Sequence, residues 1–147
     1  MTTRATVPAK AQVLQKQTRK ILACRLRAHL QARASLRLPM IYREAAKSML
    51  LLPPNTIRQL AEALEQLMVE DAAAKRPFIA AMVISNWRGG IPALGFFDCA
   101  AQLGRFSGDA AGPDARVFHT AELNAVFDLW LPPSDEPTSE TPPTFSI

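Results

Sequence analysis

The sequence predicts a mainly α-helical protein with a small β-hairpin, arranged as a winged helix-turn-helix with extra N- and C-terminal helices. Two helical patterns, at residues 42–49 and 56–74, are separated by a turn that contains a Pro-Pro pair. An apolar run at residues 78–85 then leads into a Gly-Gly loop and a second extended segment. The order helix, turn, helix, hairpin is the order in which a winged helix-turn-helix is assembled.

Length and composition indicate a single domain. The chain has 147 residues, 48% of them hydrophobic, which is enough to bury one core. No apolar run approaches the roughly 18 residues of a membrane helix, so no membrane partner is expected. Cys24 and Cys99 lie far apart, which predicts neither a disulfide framework nor a zinc site and suits a reducing, cytoplasmic location. We expect a disordered segment at residues 1–8, one winged-helix-like domain at 9–130, and a Pro-rich disordered tail at 131–147.

Charge is distributed unevenly along the chain. Residues 1–38 contain nine Lys and Arg side chains and no Asp or Glu, whereas all 13 acidic residues lie further along. A basic N-terminal helix on a mildly acidic body indicates an anionic partner, with nucleic acid the first candidate. Two other interpretations stay open: a solvated helix whose basic face keeps the protein soluble, and an organellar transit peptide, which is also rich in Arg and poor in acids.

Helical periodicity begins with residues 9–36, where Lys and Arg occupy much of the side opposite the apolar residues. A short extended segment follows, and residues 42–49 predict a second helix. Its Ala45, Ala46 and Met49 share one face, and small alanines allow a neighbouring helix to approach closely. The first helix of a helix-turn-helix needs this property.

The helix at residues 56–74 has the most regular pattern of the chain. Thr56 followed three residues later by Gln59 matches a capping box, and Pro54 or Asn55 is expected at its start. Its apolar side chains recur at helical spacing: Ile57, Leu60, Ala61, Leu64, Leu67 and Met68.

The predicted hairpin consists of a buried strand at residues 78–85, a glycine-containing loop, and a return segment at 91–94 that Pro92 confines to an edge. Trp87 and Arg88 lie at its tip. A basic residue in a wing suits a phosphate backbone, and an exposed Trp is a stacking or partner anchor. The alternative is that Trp87 folds back over the core.

Two further helices complete the chain. Residues 95–104 predict a short helix closed by Gly104, and a glycine-rich loop follows. Residues 115–130 predict a last helix that packs back on the domain through Phe118, Ala121, Leu123, Val126, Phe127 and Trp130.

Ten side chains are candidates for contacting DNA. Four lie at the start of the second helix of the helix-turn-helix, which enters the major groove in this fold. Two lie in the wing, and four lie on the basic N-terminal helix, where they would contact phosphates. In this order they are Asn55, Thr56, Arg58, Gln59; Trp87, Arg88; and Arg19, Lys20, Arg25, Arg27. The alternative is that those on the helix-turn-helix are ordinary solvated residues, since glutamates further along that helix would repel phosphate.

No catalytic signature is found. His29 and His119 each stand without ligand partners at metal-binding spacing, so neither a metal nor another cofactor is expected. Gly89 and Gly90 are followed by Ile-Pro and lack the Lys-Ser/Thr of a phosphate-binding loop. Asp98 suits the first turn of a helix, where a negative charge complements the helix dipole. We therefore expect that the protein is not an enzyme.

Two resemblances concern the middle of the chain. The runs 71–85 and 89–97 resemble a group of small uncharacterised bacterial proteins that share an Arg-Pro-apolar strand followed by Gly-x-Pro-x-x-Gly-Phe. This resemblance covers roughly residues 41–130 and implies no activity. More distantly, the Tyr-x-Glu-Ala helix, turn, helix and strand are similar to the DNA-binding domain of alkylguanine alkyltransferases and alkyltransferase-like proteins. Their Pro-Cys-His-Arg acceptor motif would fall near residues 77–82, which are apolar here, so only the helix-turn-helix geometry is implied.

The sequence thus predicts a non-catalytic protein that binds double-stranded DNA, as a regulatory or accessory factor. The alternative is a protein–protein adaptor or inhibitor of a nucleic-acid enzyme that uses the same scaffold, because folds do not fix functions. A third option is RNA binding by the basic helix. Positive charge on both the start of the second helix and the wing would favour DNA, whereas charge confined to the N-terminal helix would favour the adaptor. The pattern does not predict an oligomeric state.

Overall fold

A computed structural model describes the backbone of residues 9–131 and the side chains of residues 13 and 16–131. The disordered segments expected at residues 1–8 and, beyond residue 131, in the tail lie outside the described residues. The described part is mainly helical, with five α-helices, a two-stranded sheet and two short 3₁₀ turns, at Ile79–Met82 and Asn86–Arg88. The helices and strands are α1 (Ala9–Ser35), β1 (Met40–Ile41), α2 (Tyr42–Ser48), α3 (Thr56–Ala74), β2 (Val83–Ile84), α4 (Leu94–Gln102) and α5 (Pro113–Leu129).

The core forms where α1 packs on α3. The buried side of α1 begins at Leu22 and continues through Leu26 and Leu30, whereas Val13 and Ile21 are exposed. From α3, the side chains turned inward are Leu60, Ala63, Leu64, Leu67, Met68 and Asp71. Burying this apolar surface holds the two long helices together. None of the described helices is long and apolar enough to cross a membrane.

Helix α2 packs against α3 as the alanine pattern predicts. Ala45, Ala46 and Met49 are all buried in the shared core, and the α2 and α3 boundaries agree with the sequence pattern to within one residue. The helix, turn, helix order is therefore present in the structure.

The predicted β-hairpin is wrong. Residues 79–82 form a 3₁₀ turn, and only Val83–Ile84 are strand, paired in parallel with Met40–Ile41. The return segment makes a single antiparallel bridge, between Ser85 and Ile91. The backbone N–H groups of Phe78 and Ile79 donate instead to buried carboxylates, so these residues need no neighbouring strand to satisfy them.

The predicted capping box is also absent. Asn55 is the N-cap residue of α3, in a left-handed conformation with φ 63°, and no side chain caps the helix. Gln59 donates instead to the carbonyl oxygens of Leu52 (3.1 Å) and Pro54 (3.0 Å). Its side-chain amide therefore stabilises the turn between α2 and α3 by bonding to two carbonyl oxygens of that turn.

Aromatic rings join α4 and α5 to the rest of the domain. Phe96 of α4 contacts Phe78 edge to face, with ring centroids 6.0 Å apart, and the rings of Phe106 and Phe118 lie 5.1 Å apart. Edge-to-face and tilted contacts of this kind contribute beyond area burial alone. The predicted packing of α5 is confirmed for Val126 and Phe127, which are buried, but Ala121 is exposed.

Candidate binding groove

Two buried carboxylates, which the sequence analysis missed, organise the charged side chains of the interior. Asp71 is 1% exposed and accepts bonds from Arg27 (2.8 Å), Arg76 (2.9 Å) and the Ile79 N–H (3.0 Å). Buried charges require such partners. The signal that could have found Asp71 is its position, four residues after Leu67 on the apolar side of α3.

Glu122 is the second buried carboxylate. It accepts bonds from the Phe78 N–H, at 2.8 Å, and from Arg105. The Arg105 guanidinium also stacks 3.9 Å from the centre of the Phe78 ring. Both carboxylates bond to backbone N–H groups at the start of the 3₁₀ turn and hold it against α3 and α5, which is a structural role.

The four DNA candidates on α1 are only partly available to a ligand. Arg27 is turned inward to Asp71, with 17% of its side chain exposed. Arg25 donates to the Met49 carbonyl at 3.2 Å, and Arg19 lies 3.8 Å from a carboxylate oxygen of Glu62. Lys20 is exposed. Three of these four side chains therefore have partners within the domain.

The two candidates in the loop after β2 point in opposite directions. Arg88 donates to the carbonyl oxygens of Pro92 (3.0 Å) and Ala110 (2.7 Å) and lies over the Phe97 ring. It fastens the loop to the domain from within. Trp87 is 96% exposed, so the alternative in which it folds over the core is wrong. Its backbone N–H donates to the Ser85 hydroxyl at 3.2 Å.

At the start of α3, Asn55 and Arg58 are exposed. Arg58 lies 3.7 Å from a Glu62 carboxylate oxygen one turn along the helix, and the Gln59 amide is engaged within the turn. Thr56 faces a groove on the surface. The structure thus brings Thr56 and Trp87 together at one site, but leaves the α1 candidates elsewhere.

That groove, with a volume of about 640 Å³, lies between α2, the start of α3 and the loop after β2. The parallel pairing of β1 with β2 positions the groove, because the two strands run in the same direction and finish at the same end of the sheet. The residues that line it are Ile41, Tyr42, Arg43, Ala46, Lys47, Leu51, Thr56, Ile57, Ser85, Asn86, Trp87 and Ala93.

Tyr42 connects the two walls of the groove. Its hydroxyl accepts a bond from the Ala93 N–H at 3.0 Å. Burial raises the pKa of the Tyr42 hydroxyl above its ordinary value, so the ring is neutral at physiological pH. The residue fixes the distance between α2 and the segment before α4.

Exposed apolar side chains lie in the groove and next to it in the sequence. Trp87 is on its rim, and Ile57, 47% exposed, lines it. Leu50 and Leu52, 77% and 76% exposed, flank Leu51, which also lines the groove. Clusters of large exposed apolar residues are typical of interaction surfaces.

The electrostatic character of the groove is positive. It is lined by Arg43 and Lys47 and by no acidic residue. The first turn of α3, which borders it at Thr56, also lacks acidic residues. The N-terminal end of a helix carries partial positive charge. The groove therefore favours a ligand that combines apolar and negatively charged groups.

The lining of the groove includes no His, Cys, Asp or Glu. Within residues 9–131, no three His, Cys, Asp or Glu residues converge as metal ligands would. His119 is buried with its Nε2 atom 3.0 Å from the Ala81 carbonyl oxygen, and burial lowers its pKa. Burial raises the pKa of the Cys99 thiol, which makes the thiolate scarcer.

Comparison with protein-family models, curated proteins and solved structures finds no significant match to this chain. The family resemblances of the sequence therefore stay predictions.

Proposed function

We propose that this protein is a non-catalytic protein-binding module, an adaptor or inhibitor, that holds a segment of its partner in the groove beside Trp87. The observation that carries the proposal is the exposure of Trp87, at 96%, on the rim of a groove with basic and apolar lining. Tryptophan is among the residues that contribute most to protein–protein binding. A partner segment with apolar anchors and carboxylates fits this lining.

The state of the DNA candidates supports a protein partner over DNA. Arg27, Arg88 and Gln59 are bonded within the domain, so three predicted contacts would each require breaking an internal interaction. Protein–DNA interfaces are polar and strongly positive. Here large apolar side chains, including Leu50 and Leu52, occupy the surface beside the start of α3.

Double-stranded DNA is the second candidate. The observation that favours it is the exposure of Asn55 and Arg58 at the start of α3, on a helix that α2 precedes as in a helix-turn-helix. Arg43 and Lys47 would add phosphate contacts. In this case Arg58 would matter more than Trp87.

Selection from a random peptide library on the full chain tests the two candidates. We expect the selected peptides to be rich in Asp or Glu together with aromatic or aliphatic residues. Their affinity should fall at least tenfold in Trp87→Ala and in Lys47→Glu. The control is Val117→Ala, which removes another exposed apolar side chain, 70% exposed, on α5.

Binding of random-sequence duplex DNA across a salt series tests the second candidate. Salt-sensitive binding that weakens in Arg58→Ala, with no change in Trp87→Ala and no acidic peptides selected, would replace the adaptor by the DNA-binding function.

A further inference from the structure

We infer that residues 132–147 of this chain bind in the groove and compete with the partner, so that the protein regulates its own docking surface. This regulation rests on the proposed function, because it acts on the same groove.

The composition of residues 132–147 matches the lining. The segment contains no Lys or Arg, and its carboxylates are Asp135, Glu136 and Glu140. It also contains two large apolar residues, Phe145 and Ile147. The groove has complementary charge at Arg43 and Lys47 and complementary apolar surface at Ile57 and Trp87. The segment therefore has the combination of apolar and negatively charged groups that the groove favours.

The segment is long enough to reach the groove. The Arg37 guanidinium lies 5.3 Å from the centre of the Phe127 ring, so the end of α5 is close to the chain that enters β1. Ile41, which lines the groove, is four residues after Arg37, and their Cα atoms are at most about 15 Å apart. Phe145 is fourteen residues after Leu131, a reach of up to about 46 Å.

Attachment to the same chain favours this occupant. A segment joined to the domain by a short connection has an effective concentration in the millimolar range. Five prolines among residues 132–147 restrict the backbone, which lowers the entropy lost on binding. A weak intrinsic affinity is therefore enough to fill the groove.

The test measures paramagnetic broadening in the full chain. A nitroxide is attached at Ser146→Cys, with the native cysteines replaced as Cys24→Ser and Cys99→Ala. We expect the Trp87 indole and Lys47 amide signals to lose more than half of their intensity, while the Val117 amide on α5 keeps its intensity. Replacing the three carboxylates by amides (D135N, E136Q, E140Q) should restore most of the lost intensity, whereas the control T138A, S139A, T141A should not.

Two results would overturn the inference. One is broadening that is no greater at Trp87 than at Val117. The other is broadening that appears only when labelled and isotope-enriched chains are mixed, which means that the segment binds a second copy. Acidic library peptides that still bind at Trp87 in either case would leave the proposed function standing, so the two failures are distinguishable.

Discussion

Replacing Asp71 by Asn should be among the most destabilising conservative substitutions in the domain. The carboxylate is 1% exposed and holds Arg27, Arg76 and the Ile79 N–H at 2.8 to 3.1 Å. Asparagine has nearly the same size but carries no charge, and its NH₂ group cannot accept these bonds. Breaking one side of a buried ion pair costs about 3–5 kcal/mol.

The expected loss for D71N is therefore about 3–5 kcal/mol of unfolding free energy, or roughly 12–20 °C in Tm for a domain of this size. Urea denaturation followed by far-UV circular dichroism measures it, with the slope m checked for two-state behaviour. The matched control is Glu70→Gln, which removes the more exposed carboxylate beside Arg27, 40% exposed; it should cost less than about 1 kcal/mol. A D71N loss as small as that of E70Q would refute the reasoning.

Three further results are expected. Arg88→Ala loses two bonds to carbonyl oxygens and a ring contact, so urea denaturation should show a loss of about 2–3 kcal/mol; a fully stable variant would contradict the structural role. Because burial lowers the pKa of His119, the unfolded state binds its proton more readily, and stability should fall as pH drops from 7 to 5, by at most about 1.4 kcal/mol per pH unit. Thermal unfolding of His119→Gln should not show this loss of stability between pH 7 and 5. A pH profile identical to that of the unchanged protein would contradict the prediction. Trp87→Ala should leave the unfolding free energy, measured by urea denaturation, unchanged within about 0.5 kcal/mol, since the side chain is 96% exposed; a large drop would mean that Trp87 packs on the domain.

The helices were predictable because their signals are local. Apolar side chains at helical spacing place the buried face of α3, and the small residues Ala45 and Ala46 identify the face of α2 that meets it. Likewise Gly104 follows the end of α4 as the sequence predicts. These patterns depend only on neighbouring residues, so the boundaries of α2 and α3 agree with the structure.

The hairpin failed for a reason that the local pattern does not contain. Residues 78–85 are as apolar as a buried strand, but the amides of Phe78 and Ile79 bond to Glu122 and Asp71. Glu122 is 44 residues away in the sequence. A continuous apolar run does not distinguish a strand from another buried segment.

Individual residues of the candidate site could be predicted from the sequence, but the surface that they form together could not. Trp87 and Thr56 were singled out and do lie on the groove. The direction of Arg88 and Arg27 depends on tertiary partners, carbonyl oxygens and a buried carboxylate, that a linear pattern does not place near them. Counting basic residues therefore overestimated the charge available to nucleic acid.

The parallel pairing of Met40–Ile41 with Val83–Ile84 separates what holds the domain together from what a ligand meets. Met40 and Val83, which pair in this sheet, belong to the core that α1 and α3 share, whereas the turn that carries Trp87 leaves the end of β2 and returns at Ile91, which bridges to Ser85. Exposed positions of this turn such as Trp87 can vary while Arg88 keeps the turn bonded to the domain, in the way that a variable loop is carried on a fixed scaffold. A change confined to Trp87 would keep the architecture and alter only the surface at the rim of the groove.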